Sequence, residues 1–132
     1  MKGLKALRGD EDDPIIFVAL SGVPEELASA QADVDLGDAD AVAEYYDAVL
    51  DADAMQIAID DKGTPLVTDD DGIVASCEKP AGPNSDPNRA YPPRRLVQVA
   101  KAFGSAGVIG SLCADDFAST IGGVIRATAE KL

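Results

Sequence analysis

The chain reads as an α/β fold, a partial doubly wound parallel sheet of Rossmann type with flanking helices. Three observations predict it. Ile15 to Leu20 is a continuous apolar run without polar alternation, as in a buried parallel strand, and Val108 to Cys113 is a second short apolar strand. Amphipathic stretches follow in strand–helix order to the chain's end, with right-handed crossovers expected. Only these two strands are strong, and a pair alone cannot bury both faces without leaving an exposed edge. Either the middle region supplies further strands, or another chain does.

Taken in order, Lys2 to Arg8 reads as a short helix end with Leu4 and Leu7 on one face, and Gly9 to Pro14 as a turn. The first strand closes at Ser21-Gly22. Pro24 to Ala39 is acidic and Ala-rich, and Asp33, Asp35, Asp38 and Asp40 give it the look of a mobile loop. Val42, Tyr45, Tyr46 and Val49 then form one apolar helical stripe, which Asp38 or Asp40 can cap.

Met55 to Cys77 predicts two or three short extended pieces, with turns at Asp61-Lys62-Gly63 and Asp71-Gly72. Lys79 to Tyr91, with Pro80, Gly82, Pro83, Asn84 and Pro87, predicts a loop. Pro92-Pro93 suits a helix start. Its stripe is Leu96, Val99, Ala100 and Phe103, and Gly104 is its stop. Asp115 can cap the last helix, whose stripe is Phe117, Ile121, Val124, Ile125 and Thr128. Gly122-Gly123 within it costs about 1 kcal/mol per residue relative to Ala, which implies close packing or a frayed middle.

The 132 residues suffice for one domain and one core. With 46% hydrophobic residues, 5% aromatic and no Trp, that core is aliphatic. The 24 acidic residues against 11 basic ones leave a formal charge of −13. Such a surface repels phosphate backbones and anionic lipid heads, so no nucleic acid and no membrane insertion is expected. The chain has no His, which removes the commonest general base and transition-metal ligand. Any metal would be a hard cation held by oxygens. No stretch is apolar enough to span a bilayer, and no hydrophobic region follows the basic Met1 to Arg8 in the manner of a signal peptide.

Four places invite a functional reading. Asp69-Asp70-Asp71-Gly72 resembles a calcium loop, with Asp69 and Asp71 at ligand positions and Glu78 closing it. Its first position is Val67, however, and an acidic turn is the simpler reading. Asp115-Asp116 follows the second strand, at the sheet end where α/β folds bind ligands. Helix capping explains these carboxylates equally well. Ser21 closes the first strand at the same edge. Its Ala-Leu-Ser-Gly-Val setting is not a nucleophile elbow, and no His exists to activate it. Arg94 and Arg95 open a helix, where the dipole disfavours cations, so an internal ion pair or an anion is expected beside them. Gly104-Ser105-Ala106-Gly107 precedes a strand rather than following one and is no phosphate loop.

Three blocks together resemble a family. They are Gly3-Leu4-Lys5-Ala6-Leu7-Arg8 leading through Ile15–Leu20 to Ser21-Gly22-Val23-Pro24; Ala75-Ser76-Cys77 with Ala90-Tyr91-Pro92-Pro93-Arg94-Arg95; and Val108 to Phe117 before a closing helix. Their order resembles the C-terminal part of von Willebrand factor A-like domains in predicted exported proteins of myxobacteria and their relatives.

The resemblance implies that Ile15–Leu20 is the fifth strand and Val108–Leu112 the sixth. It treats residues 1–132 as one such segment, with an irregular acidic and Pro-rich insertion at about 25–91. The family's Asp-x-Ser-x-Ser adhesion motif has no match, so no metal ligand is carried over. An exported parent further implies a Cys77–Cys113 disulfide, whereas composition alone leaves two buried thiols equally open.

The expectation is a non-enzymatic binding or assembly segment, without cofactor, exported or at the cell surface if part of a longer precursor. It takes a protein partner or self-associates through its open sheet edge. The alternative is a standalone acidic domain binding a divalent cation.

Overall fold

The computed structural model describes residues 15–57, 59–60, 72–79, 83 and 88–131. The expected Lys2–Arg8 helix end, the Gly9–Pro14 turn and the Asp61–Gly63 turn lie outside them. The chain runs through β1 (Phe17–Ser21), α1 (Glu25–Ser29) with a 3-10 turn at Ala30–Asp33, and α2 (Ala39–Asp51). It continues through β2 (Ile59–Asp60), β3 (Gly72–Ile73), β4 (Cys77–Lys79) and β5 (Asn88–Ala90), then α3 (Arg94–Phe103), β6 (Gly107–Ser111) and α4 (Ala118–Lys131).

The two apolar runs meet. β1 and β6 pair in parallel, in register from Phe17↔Gly107 to Ser21↔Ser111. Helices cover both faces of the pair. On the face of Phe17, Ala19 and Ile109 lie α2 and α3. A Cβ on Gly107 would collide there with the Ala100 carbonyl, which shows how closely α3 approaches. Phe17 stacks on Phe103 with ring centroids 5.2 Å apart. The core between these layers holds Val23, Tyr46, Met55 and Val97 without solvent exposure. On the opposite face α4 lies over β6, with Gly123 against Val108 and Thr120 over Gly110.

Local chemistry explains most helix ends. The Asp38 carboxylate accepts the Asp40 and Ala41 amides at the start of α2. Arg94 closes the other end of α2, donating to Leu50 O at 2.6 Å and Met55 O at 3.3 Å. It therefore meets backbone carbonyls rather than the expected ion pair or anion. Those carbonyls have no intrahelical donor, and a guanidinium suits them. Gly104 ends α3 at φ 60°, in a region that Gly enters without strain.

Four expectations are corrected. Residues 25–33 are helical rather than a loop: Glu25 and Glu26 sit favourably at a helix N-terminus, and the stretch is rich in Ala. α3 buries Val97, Ala100 and Phe103 and leaves Leu96 exposed. Both stripes share Ala100 and Phe103, and the seating of Phe103 on Phe17 decides the phase. α4 buries Thr120 and Ala127, while Phe117, Ile121 and Ile125 face solvent. The small residues win because Gly110 lets the helix approach only along its slender face. It is Asp116, not Asp115, whose carboxylate accepts an α4 amide, that of Ala118 at 2.9 Å.

Among the described residues the middle region adds no strand to the parallel pair. β2 pairs with β3 and β4 with β5, each antiparallel and each a separate two-stranded sheet. β5 falls within the stretch expected to be a loop. The β4–β5 hairpin sits at the C-terminal end of β1 and β6. Ser76 Oγ donates to Gly22 O, Lys79 Nζ donates to Ala114 O at 3.1 Å, and a Cys77–Cys113 disulfide ties hairpin to sheet with Cα atoms 6.1 Å apart. No helix among the described residues is long and apolar enough to cross a membrane.

Candidate functional site

The two edges of the β1–β6 pair are treated in opposite ways. At the β6 edge, backbone groups that would meet a neighbouring strand meet the Gln31 side chain instead. Gln31 Oε1 accepts the Ile109 amide at 3.1 Å, and Nε2 donates to Gly107 O at 2.9 Å. A residue of a parallel strand makes this same pair of bonds, to positions on either side of its register partner. Gln31 is thus a one-residue substitute for a strand, and it is buried.

Tyr46 completes the seal. Its hydroxyl donates to Gly107 O at 2.8 Å and accepts from Gln31 Nε2 at 3.0 Å. Burial pushes its pKa up to about 12, against a smaller downward pull from the Gln31 bond. Tyr45, donating to Leu27 O at 2.7 Å, is also pushed up, by burial first and by Tyr46 second.

Among the described residues the β1 edge has no such device. Ser21 O accepts the Leu112 amide on the β6 side. Backbone groups alternate direction along a strand, so those of Val18 and Leu20 point away from β6. Among the described residues nothing bonds to them. Their side chains lie on the α4 face, and each is 41% exposed.

α4 extends this surface. Its Arg126 marks the flank nearest the sealed edge, donating to Gln31 O at 2.9 Å and Val34 O at 2.7 Å. Helical spacing puts Phe117 and Ile121 on the opposite flank, above β1. Leu20 and Thr120 both border the space over Gly110, and Ile121 follows Thr120 on the flank of the helix away from Arg126. Ile121 is 59% exposed and Ile125, one turn on, 65%. Leu112, exposed on the same sheet face, closes the upper end. The result is a set of exposed apolar side chains on the sheet face that carries the outer edge of β1.

Other candidates gather less. Ser21 is buried at the strand end, its Oγ without a hydrogen-bond partner among the described residues. Asp115 and Asp116 are exposed beyond β6. The hairpin occupies this end of the sheet, so the three form no open cleft. Asp69 and Asp71 lie outside the described residues, and Glu78 pairs with Arg89 at 2.8 Å. Among the described residues no group of three or more acidic or cysteine side chains is placed to hold a metal ion. A cleft of about 150 Å³ between α1 and α4 is lined by Ala28, Ile109, Gly122 and Gly123. That is below the roughly 300 Å³ at which ligand pockets begin.

Gln31 escaped the sequence reading. Its one signal is a long neutral amide between Ala30 and Ala32 in a segment otherwise marked by carboxylates. Compared with known protein families, curated proteins and solved structures, the chain matches none.

Proposed function

We propose that this chain is a non-enzymatic binding or assembly segment, the C-terminal part of a von Willebrand A-like doubly wound domain without its adhesion motif. One observation carries the reading: among the described residues the parallel pair is sealed along β6 and open along β1, where nothing bonds to the backbone of Val18 and Leu20. Helices on both faces of a parallel pair support the doubly wound assignment. The disulfide supports an oxidising compartment, as for an exported parent. The lack of any His and the burial of the strand-end Ser21 support the non-enzymatic reading.

Amide hydrogen exchange on the dilute chain tests the proposal. Val18 and Leu20 amides exchange quickly, while those of Ala19 and Ser21, turned toward β6, exchange slowly. Slow exchange at all of these positions in a dilute monomer would mean that the edge is closed within the chain, and the association reading would fall.

A further inference from the structure

The open edge and these exposed apolar side chains have the form of one half of a symmetric interface. Resting on the association reading above, we propose that the occupant is a second copy of this chain, joined through β1 about a twofold axis normal to the sheet.

Register supports this. An antiparallel pairing of two β1 strands centred on Ala19 sets Val18 opposite the partner's Leu20, and Leu20 opposite the partner's Val18. Those residues point their backbone groups outward, so each opposed pair exchanges both of its hydrogen bonds. Ala19 faces the partner's Ala19 in the intervening non-bonded pair, where strands approach closest and small side chains fit best. The twofold keeps both α4 helices on the same face of a β6–β1–β1–β6 sheet. With strands about 4.8 Å apart, the two β6 strands lie about 14 Å from each other. The gap between the helices is floored by Val18 and Leu20 and walled by Phe117 and Ile121 from both chains.

Phe17–Ser21, Phe117, Ile121 and Ile125 carry no charge. Two chains of net charge −13 nevertheless repel, and the acidic run Asp10–Asp13 precedes the strand in sequence, so the association is expected to be weak and salt-dependent. Asp115 and Asp116 stand at one end of this surface, and the twofold sends the two sets to opposite ends. Area is sufficient. The surface exposes on the order of 500 Å² of apolar side chain per chain, at the upper end of single patches on soluble monomers. With the strand backbone it approaches the roughly 800 Å² per partner of a standard interface.

Sedimentation of the full chain across a micromolar to millimolar series, at low and high NaCl, tests the proposal. The expected result is a monomer–dimer equilibrium, tightened by salt as repulsion is screened. Ile121→Glu, on an exposed helix position, weakens the dimer at least tenfold without altering the fold's circular dichroism. Val18→Pro, which removes one free-edge donor and leaves the β6 ladder intact, does the same. A dimer that tolerates both variants lies elsewhere and overturns the proposal. A chain that stays monomeric at all concentrations overturns it too. Fast exchange at Val18 and Leu20 in that monomer would leave the association reading standing with a different partner, and slow exchange would remove both.

Discussion

Replacing Gln31 by Leu removes the strand substitute while nearly conserving volume. Three bonds are lost: the Ile109 amide to Oε1, and Nε2 to Gly107 O and to Tyr46 Oη. Gly107 O keeps the Tyr46 hydroxyl. The Ile109 amide keeps no partner among the described residues, and a buried donor left unpaired costs about 1–3 kcal/mol. Adding about 1 kcal/mol for the weakened Gly107–Tyr46 cluster, the expected loss is about 3 kcal/mol. That is a large share of the roughly 5–15 kcal/mol that holds a domain together.

Urea unfolding followed by far-ultraviolet circular dichroism measures it. At a slope near 1.5 kcal/mol/M, the midpoint falls by about 2 M. A loss below about 0.5 kcal/mol would refute the claim that Gln31 seals this edge. Gln31→Glu sharpens the test. As an acid it donates to Gly107 O and accepts from Ile109, much as the amide does. Ionised, it buries a charge against a carbonyl. Burial raises its folded pKa above the ordinary Glu value, so stability is full below about pH 4.3 and is lost as pH rises through the folded pKa.

Two further outcomes are expected. Tyr46 holds its proton to about pH 12 in the fold and only to about pH 10 unfolded, so stability is full below pH 10 and declines toward pH 12. That decline, worth about 2–3 kcal/mol, shrinks in Tyr46→Phe when urea midpoints are compared across the window, and equal slopes would refute it. Thiol titration of unfolded, unreduced protein should find no free Cys77 or Cys113, and replacing both by Ser should cost about 4 kcal/mol for a loop of sequence separation 36.

What was legible in the sequence was what a single stretch decides for itself. Ile15–Leu20 and Val108–Leu112 announce strands because largely apolar runs fit few other places, although Val18 and Leu20 stand exposed rather than buried on both faces. Asp38 and Gly104 mark helix ends by chemistry that needs no neighbour. α4 was legible as a helix but not in its facing, since Phe117, Ile121 and Ile125 make a better stripe than Thr120, Gly123 and Ala127. The choice is made by Gly110, whose missing side chain favours a slender partner. Gln31 was illegible for a related reason. Its role depends on a strand that lies far away in sequence, and an amide in an acidic segment looks like surface. That only two strands would pair in parallel among the described residues could, by contrast, be read from the sequence, because it is a property of the whole pattern.

The sealed β6 edge bears directly on what the open β1 edge can become. A sheet with two free edges templates growth in both directions, and heterologous addition of such units leads to fibres. Here Gly107 O and the Ile109 amide are already bonded to Gln31, and Arg126 holds α4 and the Gln31 backbone together across that side. Under the proposed pairing, addition is therefore confined to β1. A strand bonded on one side by β6 has one side left, so pairing of two copies through β1 consumes both open edges and ends there.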